Sequence, residues 1–208
     1  MLRAKEEKAK ELVGVFLKAL EVAQRIKECK AEVEALLTGF EGGFIEPGPS
    51  GALTRGKFEV LPTGRNFFAV DPRALPTKAA WEVGVKTADR LLKRYLEKHG
   101  RYPETIGQVL WSIDAYKADG EQLAQILYLL GVEPVWGGDG TVKGLEVIPL
   151  EELGRPRIAC LVRISGIVRD TLPNYPYLID EAVEKVVVLD EPPEHNFVTK
   201  HYLESLET

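Results

Sequence analysis

The chain has 208 residues, of which 45% are apolar and 28% charged, and its formal net charge at pH 7 is −5. These proportions are those of a soluble globular protein, and the length suits one or two domains. The acidic balance without a basic stripe argues against a nucleic-acid partner, and no stretch approaches the ~20 apolar residues of a membrane helix.

The first predicted element is a helix over residues 4–37, where apolar residues recur every three or four positions. No proline interrupts the run, and the glycines of "TGFEGG" follow it. A helix of about thirty residues is longer than the usual ~11–12, so a break near Gly14 is one alternative. The apolar stripe predicts core packing, and binding of a partner is the other interpretation. Its members are Leu12, Val15, Phe16, Ala19, Val22, Ala23, Ile26, Val33, Leu36 and Leu37.

Residues 38–77 carry Gly or Pro every few positions, so we expect an ordered but irregular segment. Within it, "GALTRGKF" (51–58) has the glycine and lysine spacing of a phosphate-binding loop, but Phe58 replaces the required hydroxyl. Pro62 and Gly64 follow too closely for the helix that such a loop opens. A nucleotide site is therefore not expected here. The large apolar residues of the segment are expected to be buried, namely Phe40, Phe44, Ile45, Leu53, Phe58, Leu61, Phe67, Phe68 and Val70.

From residue 77 onward the pattern becomes regular. A helix is predicted from Thr77 to about His99, closed by Gly100. Strands and helices then alternate, which predicts a parallel sheet with crossover helices. The fold class is α/β: N-terminal helices and an irregular Gly/Pro-rich segment, followed by a mostly parallel sheet with flanking helices. We expect two domains, 1–102 and 103–208. The predicted strands are "TIGQVLWSI", "VEPVW", "LEVIPL" and "RIACLVRIS", and the helices are "GEQLAQILYLLG" and "YLIDEAVEKVVVLD".

Polar residues follow two of the predicted strands, where ligands of parallel sheets gather. Asp114, Lys117, Asp119 and Glu121 come after the first strand, and Arg169 with Asp170 comes after the strand that ends at Ile164. Each set has a structural alternative. Asp119 and Glu121 suit the start of a helix, and the Arg-Asp pair suits an internal salt bridge.

Metal-binding and redox signatures are weak. The histidines nearest each other, His195 and His201, lie six positions apart in "EPPEHNFVTKH", so they are weak metal candidates, and ordinary polar residues exposed to solvent would explain them equally well. Cys29 and Cys160 have no C-x-x-C partner, which indicates neither a disulfide framework nor a zinc knuckle. The charged amino terminus lacks the apolar core of a signal peptide. We expect reduced thiols in a cytoplasmic protein.

Several long strings, in order, resemble the CobN/magnesium-chelatase family, which includes the cobaltochelatase large subunit and the magnesium-chelatase H subunit. The resemblance covers residues from about 40 to 201. The strings are "LPTGRNFFAVDPRALPTKAAWEVG", "YPETIGQVLW", "DGEQLAQILYLLGVEPVW", "LEVIPLEELGRPRI", "SGIVRD" and "DEPPEHNFVTKH".

The resemblance implies a part in ATP-dependent insertion of Co²⁺ or Mg²⁺, as substrate metal, into a tetrapyrrole. The implied macrocycle is a corrin precursor like hydrogenobyrinic acid diamide, or a protoporphyrin. In the family, ATP is hydrolysed by separate AAA+ ATPase subunits, so no nucleotide site is expected in this chain. The string "VWGGDGTVKGLEVIPLEELGRPRI" resembles the cobalt-type members more closely. A tetrapyrrole carrier, an ATPase-docking module and a magnesium chelatase are the alternatives.

Two departures qualify the resemblance. Family large subunits exceed a thousand residues, so the chain is expected to be an excised domain, a truncated paralogue or part of a split protein, inactive alone. After "RPRI", where the family usually has an acidic residue, this sequence has Ala159.

Metal insertion requires proton acceptors and donors that hold the macrocycle carboxylates. Motif position and chemistry together make Asp114, Glu121 and Asp170 the candidate catalytic residues. The candidate substrate-binding residues are Arg65, Asn66 and Arg169.

Overall fold

The computed structural model describes residues 2–68 and 70–207. Contacts divide the chain into two compact units, Met1–Val70 and Asp71–Thr208. The predicted domains 1–102 and 103–208 stay a prediction, although the helix at 78–99 packs within the second unit. None of the helices in the described residues is long and apolar enough to cross a membrane.

The first unit begins with two helices, α1 (Leu2–Glu28) and α2 (Ala31–Phe40). The chain turns at residues 29–30, so the break predicted near Gly14 is wrong. Core packing of the apolar stripe is also wrong, because most of its described side chains are exposed along α1 and α2. Leu12, Val15, Phe16, Ile26, Val33, Leu36 and Leu37 are each more than half exposed.

The irregular segment forms two short strands, β1 (Pro47–Pro49) and β2 (Asn66–Phe68), which pair in parallel. Between them lie two single-turn 3-10 helices, Leu53–Arg55 and Phe58–Val60, separated by Gly56 at φ 79°. Leu61 is buried as expected, but burial is wrong for several aromatics, whose side chains are exposed: Phe40, Phe44, Phe58, Phe67 and Phe68.

The second unit opens with α3 (Lys78–His99), which confirms the predicted helix. Thr77 Oγ1 accepts the backbone N–H of Ala80 at 3.2 Å, and Gly100 ends the helix at φ 68°. α3 packs on α5 (Glu121–Leu130). A Cβ on Gly84 would lie 2.6 Å from Ala124 Cβ, so Gly84 is required for this close approach. The predicted inward residues of α5, Leu123, Ile126, Leu127 and Leu130, are all buried.

The strands of the second unit form pairs. β3 (Thr105–Leu110) and β6 (Ala159–Ile164) are parallel, in a register from Thr105↔Ala159 to Leu110↔Ile164. β4 (Val132–Trp136) and β5 (Val142–Val147) are antiparallel. The α/β class is confirmed, and the predicted mostly parallel arrangement holds for β3 and β6 but not for the β4–β5 hairpin. Its five-residue connection is too short for a parallel crossover.

The remaining helices are α4 (Ile113–Ala118), α6 (Leu150–Leu153), α7 (Gly166–Thr171), α8 (Asn174–Val187) and α9 (Phe197–Leu206). Arg157, just before β6, is 1% exposed and holds several of these elements together. Its guanidinium donates to the carbonyls of Gly131 (2.7 Å) and Ile148 (2.8 Å) and pairs with Glu191 at 2.8 Å. Because α5, β5 and the segment before α9 all meet this side chain, it fixes the edge from which β6 starts.

Candidate functional site at the ends of β3 and β6

A groove of about 470 Å³ lies at the carboxyl ends of β3 and β6. Val109 and Trp111 line one side, and residues 163–167 line the other. The parallel register brings Leu110 beside Ile164, so the two polar segments predicted from the sequence leave the sheet at the same edge. Tyr116 Oη donates to Thr171 Oγ1 at 3.3 Å and links them. This is the position at which α/β sheets bind ligands.

Asp114, predicted to be catalytic, lies at the start of α4 and is 6% exposed. Its Oδ1 accepts the backbone N–H of Gln122 (2.7 Å), and its Oδ2 accepts those of Leu123 (3.3 Å) and the hydroxyl of Tyr175 (3.3 Å). Burial raises the pKa of the Asp114 carboxyl, and these hydrogen bonds oppose the shift. The geometry makes Asp114 the cap of α5, and its catalytic role stays a prediction.

The alternative interpretation, that this segment starts a helix, is therefore confirmed for α5. The residue that caps the helix is Asp114 and not Asp119. Asp119 ends α4 at φ 53°, and the hydrogen bonds that cap the first turn of α5 go to Asp114. Glu121 is half-buried in that first turn. Its catalytic role stays a prediction.

Arg169 and Asp170 both lie on α7, directly after the groove. Arg169 Nε donates to Asp170 Oδ1 at 2.7 Å, and this contact lowers the pKa of the Asp170 carboxyl. Their side chains are 72% and 61% exposed, so the pair exists but the expectation that it is internal is wrong. Both side chains are accessible to a ligand, and the roles predicted for them stay predictions. Ser165 Oγ accepts the backbone N–H of Val168 at 3.3 Å and starts α7.

Arg65 and Asn66 belong to the first unit. Arg65 Nε donates to the carbonyl of Pro62 (3.1 Å) and Nη2 donates to that of Glu59 (2.9 Å). The guanidinium packs on Gly48, where an added Cβ would lie 2.6 Å from Nε. Arg65 lines a cavity of about 340 Å³ together with Ser50, Thr63 and Phe67.

Asn66 is exposed at the start of β2, and its backbone N–H donates to the carbonyl of Glu46 at 2.9 Å. Its side chain is therefore accessible, whereas that of Arg65 is already held by the chain. The substrate-binding roles of both residues stay predictions.

The two histidines proposed as metal candidates have different surroundings. His195 is exposed, and its carbonyl accepts the backbone N–H of Arg157 at 2.9 Å. His201 lies between Thr105 Oγ1 and Glu204 Oε2, each 3.1 Å from a ring nitrogen. In residues 2–68 and 70–207, no three His, Cys, Asp or Glu side chains are grouped as a metal site would require.

Trp111 and Arg163 line the groove and were missed by the sequence reasoning. Trp111 is 56% exposed, and Arg163 stands opposite Val109 in the register. A signal was available, because Trp111 lies near the carboxyl end of the predicted strand "TIGQVLWSI". Polar side chains were expected at this edge of the sheet, whereas a flat aromatic side chain can bind a ligand there as well.

The model of the CobN/Magnesium Chelatase family matches residues 2–208. The chain belongs to this family.

Individual relatives agree with this assignment. The chain is 46% identical over 169 residues to the aerobic cobaltochelatase subunit CobN of Sinorhizobium sp, covering 81% of this chain and 13% of that protein. It is 48% identical over 171 residues to the chloroplastic magnesium-chelatase subunit ChlH of Oryza sativa subsp. indica, covering 82% and 12%. The catalytic subunit of cobaltochelatase from Mycobacterium tuberculosis superposes with a TM-score of 0.82 at 46% identity, covering 85% and 15%. The chain thus spans a small fraction of the length of these relatives.

Proposed function

We propose that the chain is part of the large, tetrapyrrole-binding subunit of an ATP-dependent metal chelatase and supplies part of the wall that holds the macrocycle. The observation that carries this proposal is the groove at the carboxyl ends of β3 and β6, in a chain that belongs to the chelatase family. Its lining joins apolar side chains to an exposed guanidinium, which suits an apolar ring with carboxylate substituents.

Metal insertion has to strip water from the cation and remove two pyrrole protons. Asp170 is an exposed carboxylate that pairs with Arg169, and we propose it as a proton acceptor, whereas Asp114 would first have to give up its three hydrogen bonds. Glu121 is the remaining candidate base. Arg169, Arg65 and Asn66 are proposed to hold macrocycle carboxylates or the ring. Contact of His195 or His201 with the substrate metal is the weakest part of the proposal.

We further propose that the substrate metal is Co²⁺ and the macrocycle a corrin precursor. This choice is supported by the stretch from Val135 to Ile158, which resembles cobalt-type members. Magnesium chelatase is the competing assignment, since the overall identities to the cobalt and magnesium relatives are alike at 46% and 48%. Titration of the chain with a corrin precursor and with protoporphyrin compares the two, and tighter binding of protoporphyrin would contradict the cobalt assignment.

Hydrolysis of ATP is proposed to take place on partner AAA+ subunits. The test is a pulldown of those subunits by the 208-residue chain, with and without tetrapyrrole, beside a binding titration of the tetrapyrrole alone. Binding of both supports the proposed function. Macrocycle binding without ATPase association identifies a carrier instead, and ATPase association without macrocycle binding identifies a docking module.

A further inference from the structure

We propose that the uncovered face of the β3–β6 pair seats the flat face of the tetrapyrrole ring, with Trp111 stacked on the ring and Arg163 paired with a ring carboxylate. This inference rests on the proposed function and names the contacts that the macrocycle makes.

The two faces of the β3–β6 pair are different. Gln108 and Leu110 are 8% and 0% exposed, because they point into the core. On the opposite face, Val109 and Leu161 are 52% and 72% exposed. Around the position of a Cβ on Gly107, no heavy atom lies within 4 Å in the described residues. One face of the pair is therefore apolar, open and, at Gly107, without any side chain.

The register makes this face continuous with the groove. Gly107 stands opposite Leu161, and Val109 stands opposite Arg163. Because alternate residues of a strand share a face, Gly107 and Val109 lie on the same side of β3. Trp111 directly follows the strand and lines the same groove as Val109, so the strip from Gly107 to Trp111 is at most about 13 Å long at the rise of an extended chain. The strip is thus an extended open surface rather than a closed pocket, which suits one face of a broad ring.

Trp111 supplies the aromatic surface. Trp81 packs edge-to-face on Tyr128 and Trp136, whereas no aromatic partner is recorded for Trp111 in the part of the chain that is described. Its 56% exposed indole borders Ile164 and Ile167 across the groove. Flat π-systems stack favourably on such rings, and the groove of about 470 Å³ falls in the range of small-ligand sites.

Arg163 favours an anionic ligand over a polypeptide as the occupant. Its side chain is exposed, and no ion pair to it is recorded among the described residues. An apolar protein segment laid on this face would bury the guanidinium without a counter-charge, which is strongly unfavourable. A macrocycle with carboxylate side chains supplies that counter-charge at its rim while its ring covers Leu161, Val109 and Trp111.

The test is an absorbance titration of protoporphyrin and of its dimethyl ester with the 208-residue chain. Absorbance of the porphyrin is followed so that loss of a tryptophan leaves the readout intact. The variants are Trp111→Ala, Trp111→Phe and Arg163→Gln. Tyr177→Ala is the matched control, because Tyr177 is 74% exposed on α8 and does not line the groove. The three side chains that these variants change are all exposed, so circular dichroism is expected to show parent-like folding.

We expect Trp111→Ala to weaken binding of both porphyrins about tenfold, and Trp111→Phe to restore most of it. Arg163→Gln is expected to weaken binding of the diacid about tenfold while leaving the ester unchanged, since only the diacid carries charge. Tyr177→Ala should bind like the parent.

Parent-like binding by both Trp111→Ala and Arg163→Gln overturns this inference and leaves the proposed function standing. An equal loss of porphyrin affinity in Tyr177→Ala indicates that the porphyrin adsorbs non-specifically to the protein surface, and this result also overturns the inference. No binding by the parent contradicts the proposed function itself, and the inference with it.

Discussion

The carboxylate of Asp114 accepts the backbone N–H of Gln122 at 2.7 Å, which ties the first turn of α4 to the first turn of α5. The first four backbone N–H groups of every helix have no acceptor within the helix, and those that are buried require acceptors from elsewhere in the chain. Here Asp114 accepts two of them, from Gln122 and Leu123, and receives the hydroxyl of Tyr175 as well. A residue chosen from sequence as a proton acceptor thus stabilises the helix behind the groove.

Replacing Asp114 by Asn is therefore expected to destabilise the fold. The new amide has one acceptor oxygen, so its Nδ2 group faces either the N–H of Gln122 or that of Leu123, and a buried donor loses its acceptor. We expect a loss of about 1–3 kcal/mol in the free energy of unfolding, measured by urea denaturation. Asp170→Asn is the matched control, since that carboxylate is exposed and should change stability little. Equal stability of Asp114→Asn and the parent would contradict the capping role.

The pKa of the Asp114 carboxyl predicts how the free energy of unfolding depends on pH. Its folded pKa is raised by burial, so the native state binds more protons than the unfolded state between the ordinary carboxyl pKa and the raised value. Stability contributed by Asp114 is present below about pH 4 and falls as the pH rises through the folded pKa. The stability gap between parent and Asp114→Asn should accordingly narrow with rising pH. Urea midpoints from about pH 4 upward measure this gap, and a gap that widens would contradict the raised pKa.

The Arg157–Glu191 pair provides a second stability prediction. The two side chains are 1% and 14% exposed and meet through two contacts of 2.8 Å. Glu191→Gln leaves the buried guanidinium without its counter-charge, so we expect a loss of about 3 kcal/mol, the lower end for a broken buried pair. Glu82→Gln is the control, because the Lys86–Glu82 pair is exposed at 3.8 Å and should contribute less than about 1 kcal/mol. Similar losses in the two variants would show that burial of the Arg157 pair has no energetic consequence.

Variants of Arg65 and Asn66 distinguish an effect on macrocycle binding from an effect on the stability of the first unit. Arg65→Ala removes hydrogen bonds to the carbonyls of Pro62 and Glu59, so it should lower stability as well as macrocycle affinity. Asn66→Ala removes only an exposed side chain, so any loss of affinity there reports contact with the ligand. We expect each to weaken binding several-fold, measured by fluorescence quenching with a corrin precursor or porphyrin. Parent-like affinity in both variants would contradict their substrate-binding role.

The regular elements of the second unit were predictable from residue pattern. α3 has a capping Thr77 and a closing Gly100, and α5 has apolar residues on its buried face, so local signals agree with tertiary packing. The antiparallel hairpin was missed because "VEPVW" and "LEVIPL" look alike in parallel and antiparallel sheets. Only the short connection "GGDGT" distinguishes them, because five residues cannot form a parallel crossover.

The site was less predictable than the fold. The edge of the sheet was located correctly, but whether Asp114 faces the groove or caps α5 depends on the angle between α4 and α5, which sequence spacing does not determine. In the first unit, periodicity predicted a buried stripe on α1, and the side chains are exposed. Periodicity identifies an apolar face but does not identify what covers it.

The last prediction concerns the thiol of Cys160 on β6, which packs against the core residues of α3 and α5. Burial raises its pKa to about 12 from an ordinary value of 9.0, so the thiolate, which is the reactive form, is about a thousandfold scarcer at neutral pH. In a Cys29→Ser variant, iodoacetamide should therefore alkylate Cys160 far more slowly in the native chain than in urea, as measured by mass spectrometry over time. The native rate should stay low up to about pH 9, where exposed thiols already react fast. A native rate equal to the rate in urea would show that the thiol is accessible and that β6 does not pack as described.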